Sequence, residues 1–124
     1  MIIVYTTCRD EAEARRIAAS LLKERLVACA NIFPIRSLYR WRGKLCDEAE
    51  RAMLLKTQSS LWEAVRRRIK ELHSYDLPCI ERIAARGSGE FERWVRGETR
   101  PARAKTRREG VRRRGGPRRG PGGV

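Results

Sequence analysis

Cys8, His73 and Cys79 are a set of residues whose types, if brought together, could hold a metal ion. Two thiolates and an imidazole suit soft or borderline ions such as Cu(I), Zn(II) or Hg(II). No local motif joins them, and none of the four cysteines forms a C-x-x-C pair, so only the fold could bring them together. The competing reading is structural. A single histidine often serves packing, and a buried cysteine behaves as a small apolar side chain. Cys29, among Ala28, Ala30 and Ile32, reads as core, and Cys46 as packing opposite Tyr39. With the one histidine placed in this cluster, no Ser/His/Asp arrangement remains. The chain also lacks a phosphate-cradling glycine loop and a dinucleotide-binding glycine pattern. It is therefore read as a non-enzyme that requires no cofactor.

The elements that must position these residues follow from periodicity. Residues 1–8, "MIIVYTTC", are β-branched and aromatic and read as a strand buried on both faces. Asp10 and Glu13 form a capping-box pattern. Ala14, Ile17, Ala18, Leu21 and Leu22 then line one stripe of a helix over about 10–25. Residues 26–57 read as one long hairpin, with Pro34 marking a bulge or an edge and the tip at Arg42-Gly43. Ser60 and Glu63 suggest a second capping box, and Trp62, Val65, Ile69 and Leu72 a second helix over about 60–72. "CIERIAAR", 79–86, is a short strand. A last helix turns Phe91, Trp94 and Val95 inward and closes at Gly97. The order β-α-β-β-α-β is the split βαβ, ferredoxin-like α+β pattern: an antiparallel sheet with both helices on one face, plus a C-terminal helix. In that topology the first and last strands are neighbours, which places Cys8 near Cys79 with His73 at the same rim.

The hairpin is too long for its domain. Each arm would reach on the order of 50 Å, whereas a domain of about 100 residues is roughly 35 Å across. Tyr39 and Trp41 lie near the outer end, where a single subunit offers no core. A long two-stranded ribbon is marginal alone and invites pairing with another chain. A closed homo-oligomer is the expected resolution.

The net charge of +14 is concentrated at one end. From Arg100 onward there are ten Lys or Arg and one acid, Glu109, with six of the ten glycines. Residues 1–97 read as the folded domain and 98–124 as a basic, Arg/Gly/Pro-rich tail that cannot bury enough surface to order itself. Arg112, Arg113, Arg114, Arg118 and Arg119 could contact nucleic-acid phosphates, although the tail has no aromatics for base stacking. No signal peptide or membrane span is recognisable. Widely spaced free cysteines suit a reducing compartment, so the expectation is cytoplasmic.

Five segments in order, "ERLVACANI" (24–32), "YRWRGK" (39–44), "LLKT" (54–57), "HSYDLP" (73–78) and "FERWV" (91–95), resemble the CutA family, named for divalent-cation tolerance. The resemblance covers about residues 1–97. It implies a homotrimer of ferredoxin-like subunits joined through their long hairpins, linked to copper tolerance, with copper or another divalent ion as the ligand and no established catalysis. It also implies a likeness to PII-type signal proteins. In that alternative, Tyr39, Arg40, Trp41, Gly43, Lys56 and Tyr75 would line a cleft between subunits for a small anionic ligand, where an interface salt-bridge network is the competing reading. The chain departs from the family at three places. Ser74 replaces the proline of the H-P-Y segment, and Cys79 stands where many members have a glutamate. The cysteine implicated in copper-binding members aligns with Thr6, two residues from Cys8.

Overall fold

The structure is a computed structural model that describes residues 1–101. The strands are β1 (Ile2–Cys8), β2 (Cys29–Trp41), β3 (Lys44–Thr57) and β4 (Ile80–Ala84). The helices are α1 (Glu11–Lys23), α2 (Trp62–Leu72), preceded by a 3-10 turn at Ser59–Leu61, and α3 (Gly89–Glu98). The sheet is fully antiparallel in the order β2-β3-β1-β4, which is the ferredoxin-like arrangement.

The core lies between one sheet face and the helices α1 and α2. Ile2, Val4 and Cys8 from β1 and Met53 and Leu55 from β3 meet Ala14, Ile17 and Leu21 of α1 and Val65 and Ile69 of α2. β1 is not buried on both faces as its composition suggests. It alternates from Ile2 to Thr6, with Ile3 and Tyr5 half-buried on the face away from that core, and only its end, Thr6 to Cys8, is buried throughout. No helix of the described residues is long and apolar enough to cross a membrane.

The α1 start follows its sequence signal, with one change. Asp10 accepts a hydrogen bond from the Glu13 N–H at 2.9 Å. Glu13 reaches back past Asp10 to the Arg9 N–H at 3.0 Å. Asp10→Ala should therefore cost about 1 kcal/mol of stability in urea unfolding, and Asp10→Asn little. Equal losses in both variants would show that the cap is not what Asp10 contributes.

The Ser60/Glu63 box does not form. Residues 59–61 take the 3-10 turn, α2 starts at Trp62 without a side-chain cap, and the Glu63 carboxylate pairs instead with Arg66 at 2.8 Å. Trp94 is also not inward: it is 45% exposed, while Val95 is buried. The last helix runs through Gly97 to Glu98. Beyond it, the buried Thr99 accepts a hydrogen bond from Gln58 at 2.7 Å, and the Arg100 N–H donates to the Arg25 carbonyl at 2.9 Å. Contacts thus continue past residue 97, the expected domain edge.

The hairpin turns through Arg42 and Gly43, both with positive φ (52° and 79°), the signature of a two-residue turn whose twist matches the strands. Pro34 sits inside β2 opposite Arg51. β2 is an edge strand, so the missing N–H breaks no ladder bond that the sheet needs. β1 pairs with β3 only from Arg51 to Thr57. Lys44 to Glu50 and their β2 partners therefore form a ribbon of two strands, reaching roughly 20 Å past β1.

Candidate metal centre

β1 ends at Cys8, and Arg9 and Asp10 turn the chain directly into α1. Glu13 thereby sits over the end of β1. α2 ends at Leu72, and His73 follows in extended conformation, returning to the same rim. Cys8, Glu13 and His73 each offer one ligand atom there, all within 4.8 Å of one another. All three are buried, at 0%, 2% and 3% exposure.

Two of the three residues expected from the sequence thus converge, and Glu13 rather than Cys79 is the third. Register explains the difference. Thr6 stands opposite Ile80, so Cys79 falls in step with Thr7 and faces away from Cys8. The Cys79 carbonyl accepts the Thr6 hydroxyl at 2.6 Å. Its thiol lies nearer Glu81 and Glu50, and burial, then these two charges, raise it to about 11. Glu13 had shown only its capping role in the sequence. The signal that could have found it is the two-residue link from strand to helix, which aims an N3 side chain back at the strand end.

His73 is held on both ring nitrogens. Nε2 lies 2.8 Å from the Thr7 carbonyl oxygen, and Nδ1 accepts from the Tyr75 N–H at 3.2 Å. Because a carbonyl only accepts, Nε2 carries the proton. Nδ1 lies 3.8 Å from Glu13 Oε2. That same oxygen accepts the Ser74 N–H at 2.8 Å. The Tyr75 ring packs tilted against the His73 ring, with centroids 4.6 Å apart, and its hydroxyl donates to Glu50 at 2.7 Å. Burial and the Glu50 carboxylate both hold the Tyr75 phenol far above its ordinary range.

The charges of the cluster are set by burial, hydrogen bonds and neighbouring charges. Burial, with Glu13 and Glu50 nearby, pushes the Cys8 thiol up to about 12. For Glu13 burial also acts upward, but Ser74, the Arg9 N–H and His73 outweigh it and hold the carboxyl below 4.5. The sign of the pH effect follows. A carboxyl depressed on folding stabilises the fold above its unfolded value, and that contribution disappears as pH falls through the folded value. Wild type should therefore lose stability as pH drops below about 4.5 more steeply than Glu13→Gln, read by urea unfolding across pH. Parallel pH profiles would contradict this.

The proposed cleft residues do not meet within one chain. Lys56 pairs with Cys29 at the hairpin base and donates to Asn31 at 2.6 Å. Trp41 and Lys44 pair at the tip, roughly 40 Å away along the strand. Tyr39 reaches Glu48 at 3.4 Å, Arg42 lies over the Trp41 ring at 5.3 Å, and Gly43 makes the turn. Arg40 is exposed opposite Leu45, and Tyr75 is buried against Glu50. A separate cleft of about 130 Å³, lined by Met1, Gln58, Ser59, Ser60, Glu92, Val95 and Arg96, opens at the other end of β1. The tail arginines Arg112, Arg113, Arg114, Arg118 and Arg119 lie outside the described residues.

Comparison with known proteins places this geometry. The divalent-cation tolerance protein CutA of Pyrococcus horikoshii is 47% identical over 100 residues, covering 80% of this chain and 98% of that protein. The structure of the periplasmic divalent cation tolerance protein CutA from Archaeoglobus fulgidus matches with a TM-score of 0.75 at 44% identity, over 77% of this chain and 95% of that one. The PII-like protein CutA from Nostoc sp. PCC 7120 matches with a TM-score of 0.77 at 36% identity, over 81% and 98%. The model of the family described as CutA1 divalent ion tolerance protein matches residues 2–98, which takes in every strand and helix that carries the Cys8, Glu13 and His73 cluster; this chain is a member of that family.

Proposed function

We infer that this chain is a non-catalytic, trimeric protein of divalent-metal response that binds a metal ion, copper included, at the rim formed by the end of β1 and the start of the 73–79 loop. The observation that carries this reading is the convergence of Cys8 and His73 from distant parts of the sequence, with Glu13 beside them. A thiol, a carboxylate and an imidazole are a donor set that fits a borderline divalent ion. Bound there, the ion would supply a fixed positive charge between α1 and the 73–79 loop. The assembly is supported by the hairpin. Half of β3 extends past β1, and the aromatics Tyr39 and Trp41 at its end are only partly covered. Four thiols without a disulfide among them fit a reducing compartment, and the cytoplasm is the proposed location.

Titration calorimetry of the reduced full chain with Cu(I), Cu(II) and Zn(II) tests the metal reading. An ion binding tighter than roughly millimolar and lost in His73→Ala is expected. No such ion, or equal binding by the variant, removes it. Light scattering at micromolar concentration should give a trimer.

The PII-like likeness favours a second reading, a sensor of a small anionic ligand. Its cleft would form where Lys56 and Tyr75 of one copy approach the hairpin tip of another, since no single chain joins them. A thermal-shift screen of anionic metabolites tests it, and silence across the screen counts against it.

A further inference from the structure

We propose that this chain has a second binding function, independent of any metal: it holds single-stranded nucleic acid where α3 runs into residues 100–124, with arginines on the phosphates and Trp94 stacking a base. Residues 99–124 lie beyond the family match, so the family reading assigns them nothing.

Charge is the first argument, and the sequence carries it. From Arg100 onward ten cations stand against one acid, Glu109, and nine of the ten are arginine. Residues 1–99 are far nearer balance, with 19 cations against 14 acids. An arginine fork can bond two phosphate oxygens at once, where lysine is a point charge. Neutralising phosphates also releases their condensed counterions, which favours binding whatever the base sequence.

The fold supplies the second argument, because it fixes where the basic segment starts. Gln58 donates to the Thr99 hydroxyl at 2.7 Å, and the Arg100 N–H donates to the Arg25 carbonyl at 2.9 Å. Gln58 also lines the cleft of about 130 Å³, together with Ser59, Ser60 and Arg96. Among the described residues, the side chains of Ser59, Ser60 and Arg96 make no hydrogen bond or ion pair. The carboxylate at that cleft, Glu92, is already engaged. It accepts the Gly87 N–H at 2.7 Å and lies 3.8 Å from the Met1 amine. Two hydroxyls and a guanidinium are therefore left for a phosphate at the foot of the basic segment.

Trp94 is the third argument. The basic segment contains no aromatic residue. Trp94, however, stands in the second half of α3, just before Val95 and Arg96 of the cleft. It is 45% exposed and leans on Phe91, with 5.7 Å between ring centroids. Its ring is open to a base that is not stacked within a duplex, and such stacking tolerates every base. The preference for single strands follows from this ring; the charge alone would accept a duplex equally.

The test uses the full chain with a chelator present, so that no metal enters. The probe is a labelled single strand of mixed sequence, as RNA and as DNA, followed by fluorescence anisotropy. Expected is binding tighter than roughly 10 μM at about 50 mM salt, with log K falling against log[salt] at a slope of about −4 or steeper. That slope corresponds to five arginines and the cleft each neutralising one phosphate, at about −0.7 apiece. Replacing Arg112, Arg113, Arg114, Arg118 and Arg119 together with glutamine should flatten the slope by about 3, and Arg96→Gln by about 0.7. Trp94→Leu keeps an apolar contact for Phe91 and removes the ring. It should weaken binding by at least roughly fivefold, the low end for one stacked base, and leave the slope unchanged. Competition on the wild-type chain needs no variant: a single strand should displace its own duplex by a similar factor. Equal affinity for the duplex, an unchanged slope in the five-arginine variant, or no binding at about 50 mM salt overturns the proposal. Stronger retention on phosphatidylserine vesicles than on single strands would assign the segment to membranes and overturn it as well. None of these results bears on the metal-response reading.

Discussion

Replacing His73 with alanine is expected to cost about 3 kcal/mol of stability. Three losses combine. The ring is 3% exposed, so its removal leaves a cavity under the end of α2. The Thr7 carbonyl loses the donor that held it at 2.8 Å. The Tyr75 N–H loses its acceptor in a buried setting. For a domain of this size the melting temperature should fall by roughly 10–20 °C at fixed protein concentration. His73→Gln separates the causes, because its amide can still donate to Thr7 and fills part of the space. Glutamine should recover roughly a third or more of the loss if the Thr7 bond matters. A melting temperature unchanged in the alanine variant would mean that the rim is held elsewhere.

The second large effect is expected at the other end of the sheet. Trp41→Ala should impair assembly far more than the fold of the subunit. Trp41 is half-buried at the last pair of the ribbon, beyond the reach of β1, and touches Arg42 rather than the core. Removing a large aromatic anchor from an interface costs about 2 kcal/mol or more, roughly 30-fold in association at each contact. In the proposed trimer, light scattering should show subunits replacing the larger species as the protein is diluted, with far-ultraviolet dichroism little changed. An intact trimer with unaltered melting would refute the role given to the hairpin tip.

Much of this was legible in the sequence because the signals were local. The Arg42-Gly43 turn, the Asp10 cap and the Ala14, Ile17, Leu21 stripe each depend on a few neighbouring residues, and each appears where the pattern placed it. What was not legible depends on alignment between distant segments. Cys8 and Cys79 do end and precede adjacent strands, but a step of one residue decides which face a side chain takes, and composition cannot set that step. Leu22 and Trp94 show the same limit on helices. Both fit an apolar stripe, yet they stay 41% and 45% exposed, because the stripe does not say how wide a face the neighbouring elements will cover. Ser60 carries a cap signature, but the chain leaving β3 enters a tight 3-10 turn first, so its hydroxyl never reaches the helix start.

The central position of β1 has a further consequence for synthesis. β2 and β3 are consecutive and meet through a two-residue turn, so a nascent chain can zip this hairpin as soon as residue 57 has emerged. β1 is made before them and pairs with β3, yet its other edge has no partner until β4, beginning at residue 80, has left the ribosome. For all of that interval the half-built sheet presents an apolar β1 with one open edge, the condition that favours mispairing between neighbouring nascent chains. Slowing elongation after residue 57 should therefore lower the yield of native protein, whereas slowing it within the hairpin should not.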